Sequence, residues 1–246
     1  LFAKGHLTVG RYSSVGLPEI SKSSSESFGE TSELHFNYGE KFTYLYTMGP
    51  LRAGSAELTF LGKAAISGSQ AYLIRFESRV GTFYDLENIY AETENFYPVY
   101  IERKIKKFGI KTNIKERYDR KNYKVEIVKG GFFGKKTEVI KKQSPIHNSI
   151  LLIYYCRRLS SSELKPGYEF DVVLPTDEFK VTLTRIEKIK VPAGNFQAYL
   201  FESNPERIRL WVATDKRRTP LKMENLTSFG PSSIVLEKYW HKDTEE

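Results

Sequence analysis

Only one cysteine, Cys156, occurs in this chain of 246 residues, so no internal disulfide and no multi-thiolate metal site can be assembled. It lies inside the apolar run "ILLIYYC" and reads as a small buried hydrophobe rather than a catalytic thiol. That run is the most apolar in the chain, yet it falls far short of the roughly 18 residues a membrane-spanning helix requires. The first residues carry no cysteine for a lipid anchor. Histidine is sparse and scattered, at His6, His35, His147 and His241. None stands in an H-E-x-x-H pattern, and there is no G-x-S-x-G elbow and no phosphate loop. The expectation is therefore a protein with no cofactor and no motif-bearing active site.

Methionine is nearly absent too, at two residues, against sixteen Tyr and sixteen Phe. Aromatic rings fit a half-buried pleated surface, so this balance favours strands over helices. A hydrophobic content of 40% excludes wholesale disorder. Residues 1–36 read as an extended arm, Ser-rich in "SKSSSESFGETSE", with one edge strand available in "HLTVGRYSSVGL". The opening "LFAKGH" places Ala3 after a short apolar pair, as in the tail of a cleaved export signal.

From Tyr38 onward the pattern is of strands. "EKFTYLYTM" alternates Phe42, Tyr44 and Tyr46 with Lys41, Thr43, Leu45 and Thr47; "QAYLIRFESRV" puts Tyr72, Ile74 and Phe76 on one side. Turn residues recur at intervals that suit antiparallel sheet. One segment, "SPIHNSILLIYYCRRL", is apolar on nearly all sides, with Ser144 and Pro145 as a cap and first helical position and Arg157-Arg158 in the last turn. The spacing predicts a buried helix over 145–159 between strands at 38–142 and 165–240. The fold expected for 37–241 is thus mainly β, a curved antiparallel half-barrel or β-roll wrapping one helix. In "KVPAGNFQAYLFE", Pro192 and Gly194 supply the corner between two such strands.

Several of these stretches share a signature. "YGEKFTYLYTMGPLRAGSAEL", "LKPGYEFDV", "KVPAGNFQAYLFE" and "LWVATDKRRTPLKME" together resemble the exported bacterial family known as domain of unknown function 3108, over about Tyr38 to Leu236. The family's mid-chain apolar segment ending in an aromatic and Arg is matched by "ILLIYYCRR". One departure is visible: where the family tends to carry an acid ahead of that segment, this chain has His147-Asn148. The resemblance implies a β-rich, periplasmic or envelope-associated protein, similar in architecture to the lipoprotein-carrier half-barrels. It implies no activity.

Charge is the remaining feature. The net charge is +8, but Arg103 to Lys142 alone holds fifteen Lys or Arg against four acids, a surplus of eleven, and the remainder of the chain is net negative. Arg103, Lys104, Lys106, Lys107, Lys115 and Arg117 are the candidate binding residues of a basic strand face. The bland reading is a solvated face with edge lysines that discourage aggregation. The functional reading is attraction to an anionic lipid, lipopolysaccharide, anionic glycan or acidic protein. Nucleic acid is an alternative, since Phe108, Tyr118 and Tyr123 interleave with the cations, though no nucleic-acid motif accompanies them. Aromatics lining a hollow between sheet and helix would suit an acyl chain; aromatics filling it would be core. An enzyme, as a hydrolase acting on an envelope polymer, would draw on His147, on Asp215 in "TDKRRTP", or on Asp171 and Glu178 as a carboxylate pair. The leading expectation is a non-enzymatic envelope binding or scaffold protein.

Overall fold

The computed structural model describes residues 37–131, 134–227 and 230–240. The expected N-terminal arm, with His6 and His35, lies outside them, as does His241. The alternating apolar residues become strands β1 (Lys41–Met48), β2 (Leu51–Ile66), β3 (Ser69–Val80), β4 (Phe83–Ala91), β5 (Pro98–Lys107), β6 (Ile110–Asp119), β7 (Lys124–Gly131) and β8 (Gly134–Lys141). After the helix α1 (Leu151–Arg158), the only one among the described residues, come β9 (Glu169–Val173), β10 (Glu178–Val191), β11 (Gly194–Asn204), β12 (Ile208–Ala213), β13 (Pro220–Thr227) and β14 (Gly230–Trp240).

All fourteen strands join one antiparallel sheet in the order β8-β7-β6-β5-β4-β3-β2-β1-β14-β13-β12-β11-β10-β9. Two simple meanders are therefore zipped together where β1 meets β14, with Phe42 opposite Tyr239 and Tyr46 opposite Ile234. The sheet curves but does not close, leaving β8 and β9 as edges. Residues between them carry the chain across the concave side, and the helix sits there.

Strand period decides which residues meet the helix. Phe42 and Tyr44 from β1, Leu58 and Phe60 from β2, Ile74, Ile89 and Ile101 share a core with Leu183, Phe201, Leu210 and Leu221 from the other half, on the face that α1 covers. Helix residues Leu151, Leu152, Ile153, Tyr154 and Cys156 complete it. Four rings lie between sheet and helix: Phe60 to Tyr72 5.2 Å, Tyr72 to Phe96 5.3 Å, Phe96 to Tyr154 5.6 Å and Phe60 to Tyr154 5.8 Å between centroids. Here aromatic residues fill the space rather than line a hollow.

The helix is shorter than the apolar pattern suggests. It begins at Leu151, not at Ser144-Pro145, because the preceding residues are used as an extended strap. His147 N donates to Val173 O at 2.6 Å, and Val173 N donates to His147 Nδ1 at 3.2 Å, so the strap pairs with the edge of β9. Lys142 Nζ reaches Glu178 Oε1 at 3.0 Å from the start of the same strap. Extended backbone is also what a residue before proline prefers. The cap falls instead to Asn148, whose Oδ1 accepts from Ile150 N at 2.9 Å and Leu151 N at 3.2 Å. Across the molecule, the Pro192-Ala193 corner joins β10 to β11, and Ala193 N donates to Leu236 O at 3.2 Å, docking that corner onto β14.

Candidate functional site

Three groups of polar residues stand out, and they differ in what surrounds them. The first is sealed. Gly39, at φ +80°, turns the chain so that Glu40 enters the interior at the foot of β1. There Glu40 meets Arg157 of α1 in a two-pronged ion pair, Nη1 to Oε1 2.5 Å and Nη2 to Oε2 2.9 Å, with both side chains wholly buried. Arg157 also donates from Nε to Arg218 O at 3.0 Å and from Nη2 to Arg217 O at 3.1 Å. Its guanidinium lies 5.3 Å from the Phe42 ring and 5.4 Å from the Tyr154 ring. Burial works against the charge on Arg157, but the Glu40 carboxylate holds its pKa above the ordinary value. Arg218 in turn donates from Nη1 to the carbonyl oxygens of Arg157 and Leu159, closing the helix C-terminus. Asp215 opens the turn that presents Arg217 and Arg218: its carboxylate accepts from Thr219 N at 3.2 Å and Thr219 Oγ1 at 3.1 Å. These groups tie β1, α1 and the β12–β13 turn together. Nothing here is open to a substrate, and Asp215 serves the turn rather than acid catalysis.

The second group lies on the concave face beyond the helix. Asp85 and Glu87 on β4 and Arg103 on β5 share that face with Ile89 and Ile101, as the pairing of Glu87 with Arg103 requires. Arg103 Nε donates to Asp85 Oδ1 at 2.8 Å and lies 3.2 Å from Glu87 Oε1. Glu116 is opposite Ile101 on β6 and accepts from Tyr118 Oη at 2.6 Å. Burial pushes the Glu87 carboxyl up to about 7, against the pull of Arg103 and with help from Asp85 and Glu116. Arg103 is thus committed to two carboxylates and does not join the basic face proposed from the sequence.

The third group is exposed. Lys104 and Lys106 of β5 stand on the convex face, opposite Asn113 and Lys111 of β6. Lys115 and Arg117 follow on the same face, opposite Glu102 and Tyr100, and Lys115 Nζ lies 3.6 Å from Glu102 Oε1. The alternation sends Lys107 to the other side at the end of its strand, exposed, with Nζ 5.8 Å from the Phe108 ring. Four of the six candidates, Lys104, Lys106, Lys115 and Arg117, therefore share one face.

A model of the family described as "Protein of unknown function (DUF3108)" matches residues 43–237. The chain belongs to that family. No curated protein matches the sequence. Among solved structures, a β-barrel-like protein of domain of unknown function DUF1849 from Brucella abortus is similar at a TM-score of 0.50 and 9% identity, covering 84% of this chain and 99% of its own. A Bacteroides fragilis protein with a YmcC-like fold, inferred to be exported, covers 83% of this chain and 97% of its own at a TM-score of 0.32 and 8% identity. At 9% identity, the Brucella likeness is one of fold.

The motifs by which the sequence resembles the family now have physical roles. The Gly-Glu-aromatic opening, the arginine closing the apolar segment and the D-x-R-R-x-P stretch all converge on the Glu40–Arg157 pair. The departure at His147-Asn148 is benign for folding, since an Asn oxygen caps a helix as well as an Asp oxygen does. His147 itself completes the β9 edge, 4.7 Å from the Tyr97 ring, and burial lowers its pKa to about 4 against the Val173 backbone. The folded protein thus keeps His147 neutral where the unfolded chain, near 6.5, takes up a proton. Its contribution is present above pH 6.5 and is lost as pH falls toward 4. Glu87 works in the opposite sense, because the folded state holds its proton up to about 7. Comparing the protein with His147→Gln separates the two: the stability difference between them should shrink by about 2 kcal/mol from pH 7.5 to pH 4.5, read by urea unfolding.

The remaining candidates are dispersed. Asp171 stands opposite Lys180, and Glu178 pairs with Lys142 instead of Asp171. Burial raises the Cys156 thiol pKa far above its usual value, leaving it inert. Of the three interleaved aromatics, Tyr118 is turned inward toward Val125, Phe108 caps the β5–β6 turn and Tyr123 sits at the opposite end of β6, so they form no common stacking platform. Among the described residues no three His, Cys, Asp or Glu side chains are placed to hold a metal, and no helix is long and apolar enough to cross a membrane.

Proposed function

We propose that this protein is a non-enzymatic binding or scaffold protein of the bacterial envelope, exported to it, whose convex sheet face over β5 and β6 engages an anionic partner. The observation that carries the reading is the sorting of charge between the two faces. On the concave side Arg103 is neutralised by Asp85 and Glu87, whereas Lys104, Lys106, Lys111 and Arg117 are exposed together on the convex side. Lysines placed for stability alone would be expected mainly on the edge strand, and β8 carries its own in Lys135, Lys136 and Lys141. A face two and three strands inside that edge does not need them.

Such a face attracts polyanions through long-range fields that salt screens. Binding to anionic liposomes or lipopolysaccharide should be firm at low salt and released near physiological salt. The triple substitution Lys104→Glu, Lys106→Glu and Lys115→Glu should weaken it by about a hundredfold, from ~1 kcal/mol for each cation near the surface, without unfolding the protein. Unchanged binding by that variant would remove the basic-face reading.

A second reading, a hydrolase acting on an envelope polymer, draws on the Asp85–Glu87–Arg103 cluster, where a carboxyl with a pKa of about 7 suits proton transfer. It requires turnover of a glycan or peptide polymer that Glu87→Gln abolishes.

A further inference from the structure

The turn between β5 and β6 sets a large, exposed aromatic where the backbone favours a small residue. Lys107 pairs with Ile110, so the loop is the two residues Phe108-Gly109, with φ at +48° and +82°. Two left-handed positions in succession define a turn that favours Asn-Gly, Asp-Gly or Gly-Gly. Phenylalanine is a poor choice there on backbone grounds, and it buries nothing, being 76% exposed. Ile110 beside it is 57% exposed. Neither turn chemistry nor core packing accounts for this pair, and such local inconsistencies are where function is to be sought.

The sheet register places a second apolar tip on the same rim. Gly54 is opposite Val80, and Tyr84 is opposite Lys106, so the β1–β2, β3–β4 and β5–β6 turns all lie at one end of the sheet. At the β1–β2 turn, Met48 and Leu51 are 52% and 70% exposed. At the other end of the sheet the β2–β3 turn is Ser67-Gly68 and the β6–β7 turn is Arg120-Lys121-Asn122-Tyr123, whose aromatic is 37% exposed, half the value at Phe108. Cations stand directly behind the β5–β6 tip in Lys106, Lys107 and Lys111, and no acid occurs between Glu102 and Glu116. The tips are separate, about 20 Å apart along the sheet at a strand spacing near 4.8 Å. A groove on a protein calls for a contiguous apolar patch. Spaced apolar tips backed by lysines fit a planar, anionic, two-layered partner, in which apolar atoms enter the acyl boundary and ammonium groups remain at phosphate level.

We propose that this rim is a membrane-docking edge: Phe108, Ile110 and Leu51 enter the headgroup–acyl boundary of an anionic bilayer while Lys106, Lys107 and Lys111 meet the lipid phosphates. The inference rests on the reading that the partner is anionic, and adds both what the partner is and how the sheet stands on it, tips down.

The test uses the full chain and floated vesicles of phosphatidylcholine with phosphatidylglycerol. Phe108→Asn installs the residue the turn prefers, so the fold should be retained or stabilised while vesicle affinity falls at least about tenfold, the loss of one inserted ring. Phe108→Trp should retain binding, with emission shifted to the blue and quenched by brominated acyl chains. If Phe108→Asn binds like the parent while the Lys104, Lys106 and Lys115 reversal abolishes binding, the docking edge is wrong and the anionic-face reading stands. Binding of a soluble anionic glycan in preference to vesicles, indifferent to residue 108, likewise overturns the edge. No binding of the parent to anionic vesicles or lipopolysaccharide at low salt overturns both.

Discussion

Replacing Arg157 by leucine should lower the free energy of unfolding by about 3–5 kcal/mol, because it leaves the Glu40 carboxylate buried without its counter-ion. Glu40 is fully enclosed and both its oxygens are engaged by the guanidinium, so water cannot take the place of the lost donors. The carbonyls of Arg217 and Arg218 lose donors at the same time. A shift of the urea midpoint with an unchanged slope is the expected signature. Adding Glu40→Met should recover part of the loss, since a buried pair removed entirely is far less costly than one broken. Full recovery would mean that the two carbonyls contribute nothing. A single variant within about 0.5 kcal/mol of the parent, the range of ordinary surface substitutions, would mean that the pair does not hold helix and sheet together.

Phe60→Ala should cost about 3–5 kcal/mol as well, for a different reason. Phe60 is wholly buried and its ring contacts Tyr72 and Tyr154, with Tyr38 stacked outside at 5.6 Å. Deleting the ring removes apolar burial and leaves a cavity that the ordered strands on either side cannot close. The size of the effect decides between a packed and a hollow interior at this point. A hollow already lined by loose aromatics would lose little, on the order of 1 kcal/mol, while a filled one forfeits the full packing term.

Much of this architecture was legible because sheet period is simple. Phe42 and Tyr44 alternate with polar residues, and the alternation alone tells which side of β1 meets the core. The buried helix announced itself through "ILLIYYC", whose all-round apolarity has no place on a two-faced strand. Its start did not, because Ser144-Pro145 satisfies cap chemistry equally well in an extended strap, and only the β9 edge, far away in sequence, claims His147. The Glu40–Arg157 pair was hidden for the same reason: 117 residues separate the partners, and no local pattern marks a glutamate that will be buried.

The basic section illustrates a finer limit. Arg103 and Lys104 look equivalent in "IERKIKK", but consecutive strand residues face opposite ways. Only the register of β4 against β5 shows that Arg103 meets Asp85 and Glu87 while Lys104 meets solvent. The one clue in the sequence was the spacing of Asp85 and Glu87, two residues apart and so on one face of a strand. The exposed Phe108 was visible as an aromatic, but its oddity depends on the turn geometry, which the sequence does not print.

Amide hydrogen exchange on the full chain, with and without phosphatidylglycerol-containing vesicles at low salt, tests most directly whether the cations held outside by this filled β-shell meet an anionic surface. Slowed exchange confined to about residues 104–117 and the β1–β2 turn, reversed by salt, is the result predicted. Slowed exchange centred on Asp85 and Glu87 or across β9 to β12, with the β5–β6 hairpin unchanged, would contradict it.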